Sequence, residues 1–155
     1  MAGWSEVEAE APELAALAKG FLEDHVHKTL ATLRRDGSPR ISGTEATFAD
    51  GELWLGSMWR SLKALDLQRD PRLALHSGSV DPPDWTGDAK VGGLAEEVTD
   101  PERVGAIIGE DAPGLSHLFR VDVTELIVVR LGDPPDHLVI ESWHPDRGVT
   151  RHERS

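Results

Sequence analysis

The chain has 155 residues, enough for one domain with a sizeable core and too few for two ordinary catalytic domains. It contains no cysteine, which removes disulfide frameworks, thiolate zinc sites and cysteine nucleophiles together and fits a reducing compartment. A formal net charge of -12 argues against nucleic acid as a partner, because binding a phosphate backbone needs a surplus of lysine and arginine.

Residues 1–11 are acidic, without the basic and then apolar pattern of a leader, and read as a mobile lead-in. The longest aliphatic run is Leu126-Ile127-Val128-Val129, so a soluble, cytoplasmic protein with no membrane association is expected. From Pro12, which suits a first helical turn, Leu14, Leu17, Ala18, Phe21 and Leu22 fall on one helix face that should cover a sheet. Residues 28–34, 40–49 and 52–57 are strand-like. They are divided by Asp36-Gly37-Ser38-Pro39 and Asp50-Gly51, two hairpin signals that predict an antiparallel meander.

Residues 60–70 carry Leu62, Leu65 and Leu67, with Ser61 as N-cap and Pro71 as stop, and predict a short helix before a strand at 72–77. Residues 78–87 contain Pro82-Pro83 and form a long connection. A strand at 89–98, a helix at 101–109 capped by Asp100 and a β-prone stretch at 119–131 follow. Gly132-Asp133-Pro134-Pro135 then turns the chain into a last strand at 137–143. The expected fold is mainly β with short helices: an antiparallel barrel of six or seven strands over residues 12–145, with a polar tail at 146–155.

No dinucleotide fingerprint, Walker loop, nucleophile elbow or H-E-x-x-H is present. His25 and His27 form an H-x-H without supporting ligand spacing, so no metal site is expected. More informative is Gly56-Ser57-Met58-Trp59-Arg60-Ser61-Leu62-Lys63, where a strand ends in small residues and a helix opens with a hydroxyl and a lysine. A helix N-terminus offers unpaired N–H groups and a positive dipole end to a phosphate, and Lys63, with Arg60, adds charge. An ordinary solvated helix lysine fits the same pattern equally well. Arg40-Ile41-Ser42-Gly43-Thr44 is small and hydroxylated where a core strand prefers bulk, as a flat ligand approaching the backbone requires; a bulge at Gly43 is the alternative. Trp54 fits the core, whereas Trp59 and Trp85 fall in loops and Trp143 on the last strand.

These segments, with Lys28-Thr29-Leu30-Ala31-Thr32-Leu33, Ser61-Leu62-Lys63-Ala64-Leu65, Arg69-Asp70-Pro71-Arg72-Leu73-Ala74-Leu75 and, more weakly, Gly92-Gly93-Leu94-Ala95-Glu96-Glu97-Val98 and Glu141-Ser142-Trp143-His144-Pro145, carry a family likeness. In their order and spacing the chain resembles the pyridoxamine-phosphate-oxidase-like split-barrel flavoproteins over most of residues 26–145. The ending Ser142-Trp143-His144-Pro145-Asp146-Arg147-Gly148 looks like actinobacterial members. The resemblance implies a homodimer with two FMN sites at its interface. Arg40, Ile41, Ser42 and Gly43 would line the cofactor, with Gly56 and Ser57 opposite. Lys63 would take the phosphate, His76 and Ser77 would approach the ring or ribityl chain, and Trp143 would close the site.

Two departures stand out. Leu62 occupies the place of the family's arginine before the phosphate lysine, leaving Arg60 to compensate, and the C-terminal arginine and histidine motif of true pyridoxamine phosphate oxidases is not evident. The implied activity is an FMN-dependent oxidoreductase of a small conjugated or quinone-like substrate, in which the cofactor carries the chemistry and Ser42 or Ser57 tunes it. One alternative is a reductase using a deazaflavin of the F-420 type, whose acidic tail needs a basic groove; Arg34, Arg35, Arg60, Lys90, Arg147 and Arg151 are the candidates. Another is a non-catalytic binder or sensor of flavin or haem, with His25, His27, His76 or His144 as axial ligand.

Overall fold

The computed structural model describes residues 2–109 and 116–155. In chain order come α1 (Trp4–Glu10), α2 (Pro12–Glu23), β1 (Lys28–Leu33), β2 (Pro39–Thr44), β3 (Ala46–Ala49) and β4 (Glu52–Met58). Then follow α3 (Leu62–Arg69), β5 (Arg72–His76), β6 (Gly87–Val98), α4 (Pro101–Ile108), β7 (Ser116–Leu131), β8 (Leu138–His144) and β9 (Gly148–Arg154).

Both expected hairpins form, for local reasons. Asp50 and Gly51 take φ values of 53° and 73°, the two left-handed residues that a two-residue turn between β3 and β4 requires. The β1–β2 loop closes through the Arg34 N–H on the Ser38 carbonyl at 2.9 Å, with Gly37 at a φ of 85°. The meander between the hairpins does not form. β2 pairs only with β1 and β3 only with β4, so the expected strand at 40–49 divides at Glu45.

That division closes the fold. The strand order is β2-β1-β5-β6-β7-β4-β3, with β8 and β9 added beside β7. β2 and β3 stand at opposite ends of this path, yet one residue, Glu45, joins them. The two edges must therefore meet, and the antiparallel sheet curls into a split barrel.

The acidic lead-in is not free chain. It forms α1, which buries Trp4 at 1 % exposure and Val7 at 0 %. Backbone bonds tie it down: the Val123 N–H donates to Ala2 and the Ser5 N–H to Gly51, both at 2.8 Å. Charge at Glu6, Glu8 and Glu10 hid a helix whose inward positions are apolar. α2 buries Leu14, Ala15, Ala18 and Leu22 but leaves the expected Leu17 outside.

The tail differs from expectation as well. Residues 148–154 form β9, paired with β8 along its length and exposed on both faces, so backbone hydrogen bonding rather than burial holds it. Its charged side chains suit an unprotected sheet edge. With α1 and the extra strands, the described residues hold nine strands and four helices.

Candidate functional site

α3 begins where β4 ends. Ser61 caps it, accepting the Ala64 N–H at 3.3 Å, and its hydroxyl shares a short hydrogen bond with that of Ser57. From the first turn of α3 the Lys63 ammonium reaches over to β2 and donates to the Gly43 carbonyl at 2.8 Å. Between these elements and α4 lies a cavity of about 350 Å³, lined in part by Gly43, Gly56, Ser57, Lys63, Ile107 and Ile108.

The two glycines leave backbone bare at the cavity. Gly43 pairs with Thr29 in an unbroken register, so it is no bulge, and a side chain there would meet nothing within 4 Å. Burial lowers the Lys63 pKa below the ordinary lysine value, and the charge of Glu45 opposes that shift without cancelling it. An ammonium has three donors, and among the described residues this one has a single hydrogen-bond acceptor, which leaves it capacity for an anion.

The turn between β4 and α3 is held from beneath by a residue the sequence reasoning missed. Arg60 sits at a φ of 59°, and its N–H donates to Nε2 of His117 at 3.1 Å. Nε2 therefore carries the lone pair, and Nδ1–H donates to Glu97 at 3.3 Å. Trp59 stacks on the buried imidazole with centroids 4.6 Å apart. Nothing near His117 in sequence signals this, because its partners come from β6 and from the turn itself.

Arg40 lies further along β2, where its Nε–H donates to Asp66 at 2.7 Å. Asp66 also accepts from the Thr32 hydroxyl at 2.8 Å and from Arg69 at 3.0 Å. Burial works against its charge, and the hydrogen bonds from Arg40, Thr32 and Arg69 outweigh it, so its carboxyl lies below the usual range. α3 turns this aspartate inward with Ala64 and Leu67, leaving Leu62 and Leu65 60 % and 41 % exposed. Of the three leucines that signalled this helix, Leu67 alone is packed.

The structure gathers Gly43, Gly56, Ser57, Ser61 and Lys63, with Ser42 and Arg60 adjacent in the chain. Ile41 is 75 % exposed on β2. His76 and Ser77 are not brought there: His76 ends β5 and Ser77 follows it, and β1 separates β5 from β2. His76 donates through Nδ1 to the Ser77 carbonyl at 2.6 Å, and the buried Ser77 hydroxyl accepts the Ala89 N–H at 3.0 Å. Trp143 is 0 % exposed in the core, its indole N–H on Glu10 at 3.1 Å, so it has no surface with which to close a site.

Of the histidines considered for haem, His27 lines the cavity, whereas His144 is bonded to Glu125 at 2.8 Å. Among the described residues no three histidine, aspartate or glutamate side chains group to hold a metal ion, and no helix is long and apolar enough to cross a membrane.

Residues 14–130 match the family model described as pyridoxamine 5'-phosphate oxidase. The chain belongs to the pyridoxamine 5'-phosphate oxidase family. The matched span contains every wall of the cavity and excludes Trp143. No curated protein matches the chain.

Solved structures support the family's fold. A conserved hypothetical protein of Mycobacterium tuberculosis is 25 % identical at a TM-score of 0.59, over 69 % of this chain and 78 % of that one. A pyridoxamine 5'-phosphate oxidase-related, FMN binding protein of Nostoc punctiforme is 11 % identical at 0.60, over 96 % and 97 %. A FAD-binding protein of Mesorhizobium loti is 18 % identical at 0.57, over 74 % and 92 %.

Proposed function

We propose that the cavity between β2, β4, α3 and α4 binds a flavin, FMN in the first instance, and that the protein is a flavin-dependent oxidoreductase of a small conjugated or quinone-like substrate. The observation that carries this reading is Lys63, a partly desolvated ammonium with unused donors, held against the bare backbone of Gly43. The fit is chemical as well as spatial: at about 350 Å³ the cavity falls within the size range of small-molecule sites, and its lining joins Lys63, the hydroxyl residues Thr44, Thr47, Ser57 and Ser116 and an apolar wall, with Glu45 as its one carboxylate among the described residues. The related FMN- and FAD-binding proteins add weight.

Lys63 and the first N–H groups of α3 hold the phosphate. Ser57 and Ser61 hold each other in place and offer hydroxyls beside it. Gly43 and Gly56 admit the flat ring to the strand backbones, and Ile107 and Ile108 exclude water from it. Bound flavin supplies hydride or electron transfer, and these residues orient it. Arg60, next to the Ser61 cap, stands in for the arginine replaced by Leu62.

A second copy of the chain completes the site. Ile41, Met58, Trp59, Leu62 and Leu65 are 75 %, 79 %, 52 %, 60 % and 41 % exposed on the elements that border the cavity, an apolar fringe that a dimer would bury.

The test is the visible spectrum and the mass of the ligand released from the purified protein. A flavin spectrum and the mass of FMN support the reading, and a deazaflavin or haem mass replaces FMN with that group. A colourless protein that takes up none of the three overturns it.

A further inference from the structure

The hydrogen bonds around α3 close into a loop. Near the end of the helix the Gln68 side-chain amide donates to both carboxylate oxygens of Glu97 on β6, at 3.0 and 2.9 Å. Glu97 accepts Nδ1–H of His117 on β7, and Nε2 of the same ring accepts the Arg60 N–H. Arg60 precedes Ser61, the cap from which α3 starts, so the loop leaves the helix at one end and returns at the other.

His117 is the link whose role reverses with a proton. Its Nδ1–H is committed to a carboxylate, so Nε2 of the neutral ring is bare, and the Arg60 N–H needs that lone pair. A proton on Nε2 sets two donors face to face. The ring is 3 % exposed, with Trp59 and Phe119 stacked on it, and the turn it supports holds Arg60 at a φ of 59°. Without its acceptor that turn loses the bond that keeps a left-handed residue in place. From β6 the Glu97 carboxylate favours an imidazolium; burial of the ring and the positive charge of Arg60 on the turn oppose one. Gln68 of α3 is linked to the ring through Glu97.

We propose that this loop is an acid-sensitive latch on the phosphate corner at Ser61 and Lys63. Protonation of His117 opens the β4–α3 turn and releases the anion held there, and Glu97 is the positioning residue that sets the ring's tautomer. The proposal rests on the flavin reading for the identity of the ligand and not for the latch itself. Reciprocally, ligand binding drives a proton off His117.

FMN titration of the full chain between about pH 8 and pH 5.5 tests this. Wild-type affinity should fall by about tenfold more than that of His117→Gln, the worth of one hydrogen bond, because glutamine still accepts from Arg60 and does not titrate. The FMN phosphate gains a proton over the same range in both proteins, so the difference between them isolates His117. Glu97→Gln should move the step to lower pH. In ligand-free wild-type protein that stays folded by circular dichroism, nuclear magnetic resonance should show the Arg60 amide and the His117 ring shifting together in acid, and the Arg60 amide of His117→Gln staying in place. Parallel affinity profiles in wild type and His117→Gln, a step unmoved by Glu97→Gln, a ring that stays neutral throughout, or an Arg60 amide that stays in place while the ring takes a proton overturns the latch. No FMN uptake at the alkaline end overturns the flavin reading instead, and the ligand-free signals then decide the latch.

Discussion

The main-chain N–H of Arg60 donates to Nε2 of His117 at 3.1 Å, so one buried imidazole fixes the turn from which the Lys63 helix starts. Arg60 is left-handed there, at a φ of 59°, a conformation that a non-glycine residue keeps only when its surroundings hold it. His117→Ala removes the acceptor and the face on which Trp59 stacks, and should cost about 2–3 kcal/mol of stability. It should also weaken FMN binding, read by titration, and shift Trp59 emission toward that of a solvated indole. His117→Gln, which can still accept from Arg60, should recover part of the FMN affinity. Equal affinity in all three proteins would separate the turn from the site.

Lys63→Ala should weaken FMN by about 1.5–3 kcal/mol, the worth of a charged hydrogen bond, with little change in Tm because the lysine contributes no core contact. Its pKa lies below the ordinary lysine value, and its charge is present below that pKa. FMN affinity should therefore fall as pH rises, beginning before the usual lysine range, and Lys63→Arg should flatten that fall. Titrations across the alkaline range measure it.

Asp66 makes the opposite prediction at the acid end. Its folded pKa is depressed, so the stability it contributes is present above the unfolded carboxyl value and is lost as pH falls through the folded one. Asp66→Asn should cost about 2–4 kcal/mol near neutrality, since Arg40 and Arg69 lose a shared buried partner, and should flatten the acid limb of a urea-unfolding series. Asp70 is the control. Arg72 hydrogen bonds hold its carboxyl at about 2, but the pair lies at the surface, and Asp70→Asn should change stability little.

Trp4→Ala should destabilise the protein by about 3–5 kcal/mol, as expected for removing a large buried aromatic side chain. Deleting residues 2–11 should do more, because it also uncovers Leu14 and Leu22 and strips Glu10 from the Trp143 indole. Urea melts of both proteins measure this. Unchanged midpoints would mean that α1 rests on the barrel without supporting it.

Local chemistry made much of the molecule legible. The Asp50-Gly51 turn, the Ser61 cap and the hairpin turn after β1 each depend on neighbours a few residues away, and each forms where those neighbours indicate. The small-residue strand at Gly43 and the lysine at position 63 were visible for the same reason, as residue types unusual for their place. α1 was misread because its glutamates dominate composition while only its apolar positions decide packing.

What the sequence by itself determined was the set of turns, caps and amphipathic segments, and with them the family likeness across residues 26–145. Only the tertiary structure decided that β2 and β3 meet across Glu45, that α3 turns Asp66 inward rather than Leu65, and that His117 supports Arg60. It also withdrew Trp143 and Ser77 into the interior. The reason is that strand order and helix rotation follow from burying apolar area over the whole barrel. A contact between residues 57 positions apart, as Arg60 and His117 are, carries no local signature in either segment.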